Sequence, residues 1–212
     1  MRKTFLLIIS LIIAIGIFAQ KDKKATEILD RVIAKTESYK TMEVEFTLAM
    51  DNVDADIHDN KNGVLLVMGD KYKLTLSEQI VISDGKTMWT LLLDNKEVMI
   101  NDVEENEESI TPTNLLNSYS DNYKSTYLKE DVINGKTVDL IELTPLKGKT
   151  YTKIEVAIEK GMDQIYSFSM FDKNGSTYSY TIKKYTLNKK VGEFEFVFNE
   201  ANYPNFEIVD MR

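Results

Sequence analysis

One histidine and no cysteine narrow the chemistry open to this chain. His58 sits in the polar run Asp51-Asn52-Val53-Asp54-Ala55-Asp56-Ile57-His58-Asp59-Asn60. A Ser-His-Asp triad would have to use it, because the base must be an imidazole that takes and then returns a proton. No nucleophile motif accompanies it, and residues 51–62 read as a solvated acidic loop. The same stretch offers oxygen ligands to calcium. An EF-hand loop, however, needs Gly at its sixth position and Glu at its twelfth. Counted from Asp54, those positions hold Asp59 and Leu65, so the pattern fails. Without Cys there is no thiol catalysis, disulfide or thiolate metal site. Acids are plentiful, but nothing in their spacing makes two converge as an acid–base pair. No glycine-rich phosphate loop is present. The expectation is a protein that is not an enzyme and takes no cofactor or metal.

What the chain has in surplus is apolar and aromatic side chain in strand-like patterns. The stretch from Gln79 to Leu93 shows it best. Asp84-Gly85 predicts a two-residue hairpin turn, since both tolerate the positive φ of a type I′ turn. An antiparallel strand with one wet face should alternate apolar and polar. Ile80-Val81-Ile82 and Leu91-Leu92-Leu93 are instead apolar at successive positions, with the single Trp of the chain, Trp89, between them. Both faces of this hairpin must avoid water, so something covers the second. A curved sheet with a surplus apolar face either collapses or holds a ligand, and an apolar cavity is the functional reading.

The elements that would position such a cavity follow from the periodicity. Ala25, Ile28, Leu29, Val32 and Ile33 recur at helical spacing, with Glu27, Asp30, Arg31 and Lys35 opposite, which predicts an amphipathic helix of about four turns. Met42, Val44, Phe46, Leu48 and Met50 alternate with polar residues and predict a long strand with one apolar face. Strands 64–68 and 72–76 flank Gly69-Asp70. Asp102 to Glu108 reads as a solvated loop. Thr111-Pro112 then starts a short helix carrying Leu115, Leu116 and Tyr119, placed like a lid. Further strands follow. Asn134-Gly135 precedes one at 138–143. Ile154, Val156 and Ile158 share a face, as do Tyr166, Phe168 and Met170. Phe194, Phe196 and Phe198 predict a closing strand. One antiparallel sheet with a few helices, class α+β, is the economical architecture.

The first 19 residues stand apart. Arg2 and Lys3 precede an apolar run from Phe5 to Phe18, and Ala19 offers a small residue for cleavage, the layout of a secretory signal peptide. The run is short of the roughly 20 apolar residues that span a bilayer. Residues 20–212 are then a single domain. The formal net charge of the whole chain is −8, and about −10 once Arg2 and Lys3 are removed. That disfavours nucleic acid and anionic membrane surfaces as partners.

The segment Ile82-Ser83-Asp84-Gly85-Lys86-Thr87-Met88-Trp89 resembles one found in the LolA-type outer-membrane lipoprotein carriers. The remaining marks come in the same order: a signal peptide without a lipid-carrying Cys, the helix from Ala25 to Ser38, and the long strand with Phe46. Gly63 follows, then Lys71-Tyr72-Lys73-Leu74, Pro112 to Leu116, Phe194-Glu195-Phe196 and the tail from Asp210 to Arg212. The resemblance implies an incomplete, half-open antiparallel β-barrel with helices covering its apolar concave face. It implies a soluble, monomeric periplasmic carrier whose partners are acylated lipoproteins, an inner-membrane ABC transporter as donor and an outer-membrane acceptor. On this basis Val44, Phe46, Leu48, Tyr72, Leu74, Trp89 and Leu91 are the expected lining of the acyl-chain cavity, with Leu115 and Leu116 on the lid. One departure stands out. The family often has Arg-Pro between its second and third strands, the Arg tied to holding the lid closed. Here Met68-Gly69 stands there, so that contact is not carried over, and Lys71 and Lys73 are the cations left nearby.

Two other functions fit the same residues. One is a sensor of lipids or lipoproteins on this fold that regulates a signalling partner. The other is a non-enzymatic surface domain, structural or carbohydrate-binding, whose aromatics such as Tyr178 and Tyr180 would face solvent.

Overall fold

A computed structural model describes residues 22–103 and 119–212. The proposed signal peptide, most of the acidic stretch 102–108, and the lid residues Thr111, Pro112, Leu115 and Leu116 lie outside them. The fold is α+β. A helix, α1, covers residues 22–37. Twelve strands follow: β1 Met42–Asn52, β2 Ile57–Met68, β3 Lys71–Thr75, β4 Gln79–Ser83, β5 Thr87–Leu92, β6 Glu97–Asp102, β7 Tyr123–Ile133, β8 Lys136–Pro145, β9 Tyr151–Glu159, β10 Gln164–Asp172, β11 Thr177–Leu187 and β12 Glu207–Asp210. Every pairing described is antiparallel except that of β12 with β6, and the sheet does not close into a full barrel. The chain divides into two compact units. One gathers 22–36 with 119–173, the other 37–103 with 174–212.

In the first unit β7, β8, β9 and β10 pair in sequence order. Their register sets Tyr127, Ile141, Val156 and Phe168 in one row across four strands. All four are buried, as are Ala25, Ile28, Leu29 and Val32 on α1. Burying an aliphatic side chain of this size stabilises the fold by about 1.5–3 kcal/mol. Polar contacts fix the helix on this unit. Lys24 Nζ stands 3.6 Å from the centre of the Tyr127 ring and 3.8 Å from Asp139 Oδ1. Tyr127 donates its hydroxyl proton to the buried Asp139 at 3.0 Å, and Arg31 Nε reaches Asp163 at 3.2 Å. The opposite face alternates to polar residues, with Lys153 held between Glu155 and Glu142. Tyr166 departs from the expected face. The register slips between Ile165 and Ser167, and this bulge sets Tyr166 among Val138 and Ala157 instead of beside Phe168.

In the second unit β11, β1, β2, β3, β4, β5, β6 and β12 are hydrogen-bonded in that order. The expected loop 51–62 is a hairpin instead. β1 and β2 stay in register out to Asn52 opposite Ile57, around the turn 53–56. Polar side chains do not prevent a strand when backbone pairing is satisfied and both faces there are wet. Asn52 steadies the end, donating to Ser176 Oγ at 2.9 Å and accepting from Ala55 N–H at 3.0 Å. The hairpin between β4 and β5 forms as expected, but its turn is one residue further on. Asp84 N–H donates to Thr87 C=O, leaving Gly85-Lys86 as the loop. Only Gly85 takes positive φ, +92°, as in a type II′ turn with Gly first. Asp84 accepts the N–H groups of Lys86 at 2.9 Å and Thr87 at 2.8 Å.

Candidate functional site

Register decides which apolar residues of the second unit can act together. Val44 lies opposite Leu65, Leu65 opposite Leu74, Leu74 opposite Val81, and Val81 opposite Thr90. Cross-strand partners share a face, so these residues share one. Phe46, Leu48 and Tyr72 are on it by parity along their strands. From β11, Tyr185, Ile182 and Tyr180 join as partners of Val44, Phe46 and Leu48. Ile82, by contrast, pairs with Trp89, and Leu91 with Ile80 and Val98. Those residues occupy the reverse face. The seven residues expected to line one cavity therefore divide. Val44, Phe46, Leu48, Tyr72 and Leu74 form one surface; Trp89 and Leu91 do not share it.

The reverse face is covered by the chain itself. Phe198, Tyr203 and Phe206 pack against Ile82, Leu91, Val98 and Ile100. The rings contact in sequence, Phe198 stacking on Tyr203 at 5.7 Å and Tyr203 meeting Phe206 edge-on at 5.3 Å between centroids. The expected closing strand 194–198 is a 3-10 turn over Glu193–Phe196, with Phe196 fully buried. Two ion pairs hold it to β3: Lys71 with Glu193, and Lys73 with Glu195 at 2.9 Å. Both cations near Met68-Gly69 thus engage the C-terminal segment. The second apolar face of the central hairpin has its cover, and Leu91, wholly buried there, is a core residue.

From β11 across β1 and β2 to Leu74 and Val81 the first face carries a cluster of apolar residues, and its burial is graded. Met42, Val44, Phe46, Leu65, Val67 and Tyr72 are buried, whereas Leu48, Leu74, Leu76, Val81, Tyr180 and Ile182 are half-buried. Gly63 makes the close packing possible. It pairs with Phe46, and a Cβ at position 63 would lie 2.3 Å from Phe46 Cζ and 2.8 Å from Leu76 Cδ2. Tyr180 lies against Phe46 at 5.7 Å between ring centres. Burial pushes its hydroxyl pKa up, with Tyr178 adding to the rise. It does not face solvent as a carbohydrate platform would require. Tyr72 donates its hydroxyl proton to Met88 Sδ at 3.3 Å.

Charge enters this face toward the N-terminal end of β2. Lys61, opposite Leu48, bonds Glu78 at 2.6 Å and stands 3.5 Å from Asp59. The hydrogen bond to Glu78 holds the Lys61 pKa above its ordinary value. The arrangement is an apolar surface with an ionic margin, suited to an aliphatic chain attached to a polar head. His58 lies outside it, exposed, with Nδ1 2.8 Å from Asp51 Oδ1. Among the described residues no hydroxyl is hydrogen-bonded to His58, no three His, Asp or Glu side chains are grouped to hold a metal, and no helix is long and apolar enough to cross a membrane.

The family model for the outer membrane lipoprotein carrier protein LolA matches residues 37–199. No curated protein matches the sequence. Solved structures share the fold at low identity. An uncharacterized conserved protein from Thermus thermophilus superposes with a TM-score of 0.61 at 10% identity, covering 88% of this chain and 99% of its own. The Mycobacterium tuberculosis lipoprotein LppX gives 0.52 at 16% identity, covering 81% and 98%. A domain assigned to outer-membrane lipoprotein sorting from Vibrio parahaemolyticus gives 0.50 at 15% identity, covering 86% and 99%.

Proposed function

Since the chain belongs to the LolA family of periplasmic carriers, we propose that it binds the acyl chains of lipoproteins and carries them from the inner to the outer membrane. The site is the face bearing Val44, Phe46, Leu48, Tyr72 and Leu74. The observation that carries this reading is its graded burial: a continuous apolar surface runs from buried Phe46 to half-buried Leu48 and Leu74. Half-buried aliphatic groups gain most from a ligand, because they still have water to shed. Burying about ten methylenes of an acyl chain supplies about 8 kcal/mol gross, near a micromolar dissociation constant before costs. That strength keeps acylated cargo in solution and still permits release.

The donor in this account is an inner-membrane ABC transporter and the receiver an outer-membrane acceptor. Residues 1–19 are a cleaved signal on this reading. Trp89 and Leu91 have no part in it. The test is recovery of acylated protein or lipid with the purified protein, by mass spectrometry. Leu74→Asp, on the half-buried part of the face, is expected to lose the cargo while secretion persists. Normal cargo on that variant would sink the assignment.

A further inference from the structure

The reverse side of the second unit carries a feature that acyl binding does not use. Where the C-terminal segment crosses β3 and β4 it leaves a cavity of about 550 Å³, floored by Ile82, Phe198 and Tyr203 and lipped by Phe194 and Val197. Phe194 and Phe196 lie two residues apart in one turn, yet Phe196 is fully buried and Phe194 is 76% exposed. The Phe194 ring lies over Gly192 at the lip, where a Cβ would approach it to 2.2 Å. Beside it the backbone is extended at Val197 (φ −128°, ψ 132°) and at Asn199 (φ −119°, ψ 108°). Among the described residues the N–H and C=O of Phe198, between them, make no hydrogen bond.

The charge at this cavity has one sign to spare. Lys73 is neutralised by Glu195 at 2.9 Å, while the exposed Glu200 carboxylate makes no ion pair among the described residues. Aromatic faces beside an uncompensated carboxylate favour a cation. An extended backbone with a free donor and acceptor favours a second extended chain, which can pair with it as an added strand. A lipid amine would meet the first requirement but not the second. We infer that this cavity docks an extended peptide segment of a partner protein, with an apolar side chain in the cavity and a lysine or arginine beside Glu200. The site is independent of the acyl-binding face.

The test is a heteronuclear NMR titration of the whole protein with an acetylated, amidated pentapeptide of alternating leucine and lysine. A peptide alternating leucine and glutamate and phosphatidylethanolamine vesicles serve as competitors for the assignment. Saturable shifts among residues 194–203, weakened about tenfold or more by Phe194→Ala and by Glu200→Lys, are expected. Both side chains are exposed, and circular dichroism checks that each variant folds. Four results would overturn the inference: no shifts at millimolar peptide, shifts centred on Val44 to Leu48, undiminished binding by the variants, or equal binding of the leucine-glutamate peptide. Binding of the vesicles without the peptide would assign the cavity to lipid and overturn it as well.

Discussion

Gly63 is the position where a single added carbon does most harm to the proposed site. The Phe46 ring occupies the space a side chain there would need. Gly63→Val should drive the ring off β2 and cost about 1–3 kcal/mol through overpacking, read as a lower urea midpoint and weaker acyl binding. An unchanged midpoint would mean the contact yields freely. A second residue-level prediction concerns the tail. Asp210 is pushed down to about 2, mainly by the hydrogen bond from the Arg212 side chain and then by that from its backbone N–H. A depressed carboxylate contributes its stability above the ordinary carboxylate range and loses it as pH falls through about 2. The Asp210 carboxyl carbon should titrate there by NMR, and Arg212→Gln should move the midpoint up toward the usual range. A midpoint near 4 in the native protein would contradict the contact.

At the scale of elements, the sequence is most legible where the pattern is local. The alternation from Met42 to Met50 and the helical stripe from Ala25 to Val32 each carry their own period, and both form as read. The failures have long-range causes. Phe194, Phe196 and Phe198 alternate like a strand, but Glu193 and Glu195, each preceding one of the first two, bind Lys71 and Lys73 on a distant strand, and the segment forms a 3-10 turn. The bulge that turns Tyr166 away leaves no trace in a period of two. Trp89 has apolar neighbours on either side, so only the register with Ile82 and Ile100 fixes its face. The Lys71–Glu193 pair is exposed and the Lys73–Glu195 pair part-buried; pairs this open to water are worth about 0–1 kcal/mol each, yet reversing both charges would set like against like. Lys71→Glu with Lys73→Glu should loosen the segment 193–206 and shift the emission of Trp89 to the red. Unaltered emission would show that the aromatic packing alone holds the segment. In the other unit, Tyr127→Phe removes the hydroxyl donor to Asp139, which is 5% exposed. A loss of about 1–3 kcal/mol is expected in thermal or urea unfolding; no loss would mean that Lys24 alone satisfies the carboxylate.

For the molecule as a whole, the proposed function gives the two faces of the second unit different tasks. The reverse face packs against Phe198, Tyr203 and Phe206, and on the proposed reading the face of Phe46 takes the ligand. The central claim is that acyl chains bind the face of Phe46 and Leu48. The most direct measurement is equilibrium binding of a fluorescent long-chain fatty acid, which carries no peptide for the reverse-side cavity to dock, to the native protein, to Leu48→Asp and to Phe194→Asp, which alters an exposed residue on the reverse side. The expected result is micromolar or tighter binding by the native protein and by Phe194→Asp, with a loss of about tenfold or more in Leu48→Asp. Native-like affinity in Leu48→Asp, with loss in Phe194→Asp, would contradict it.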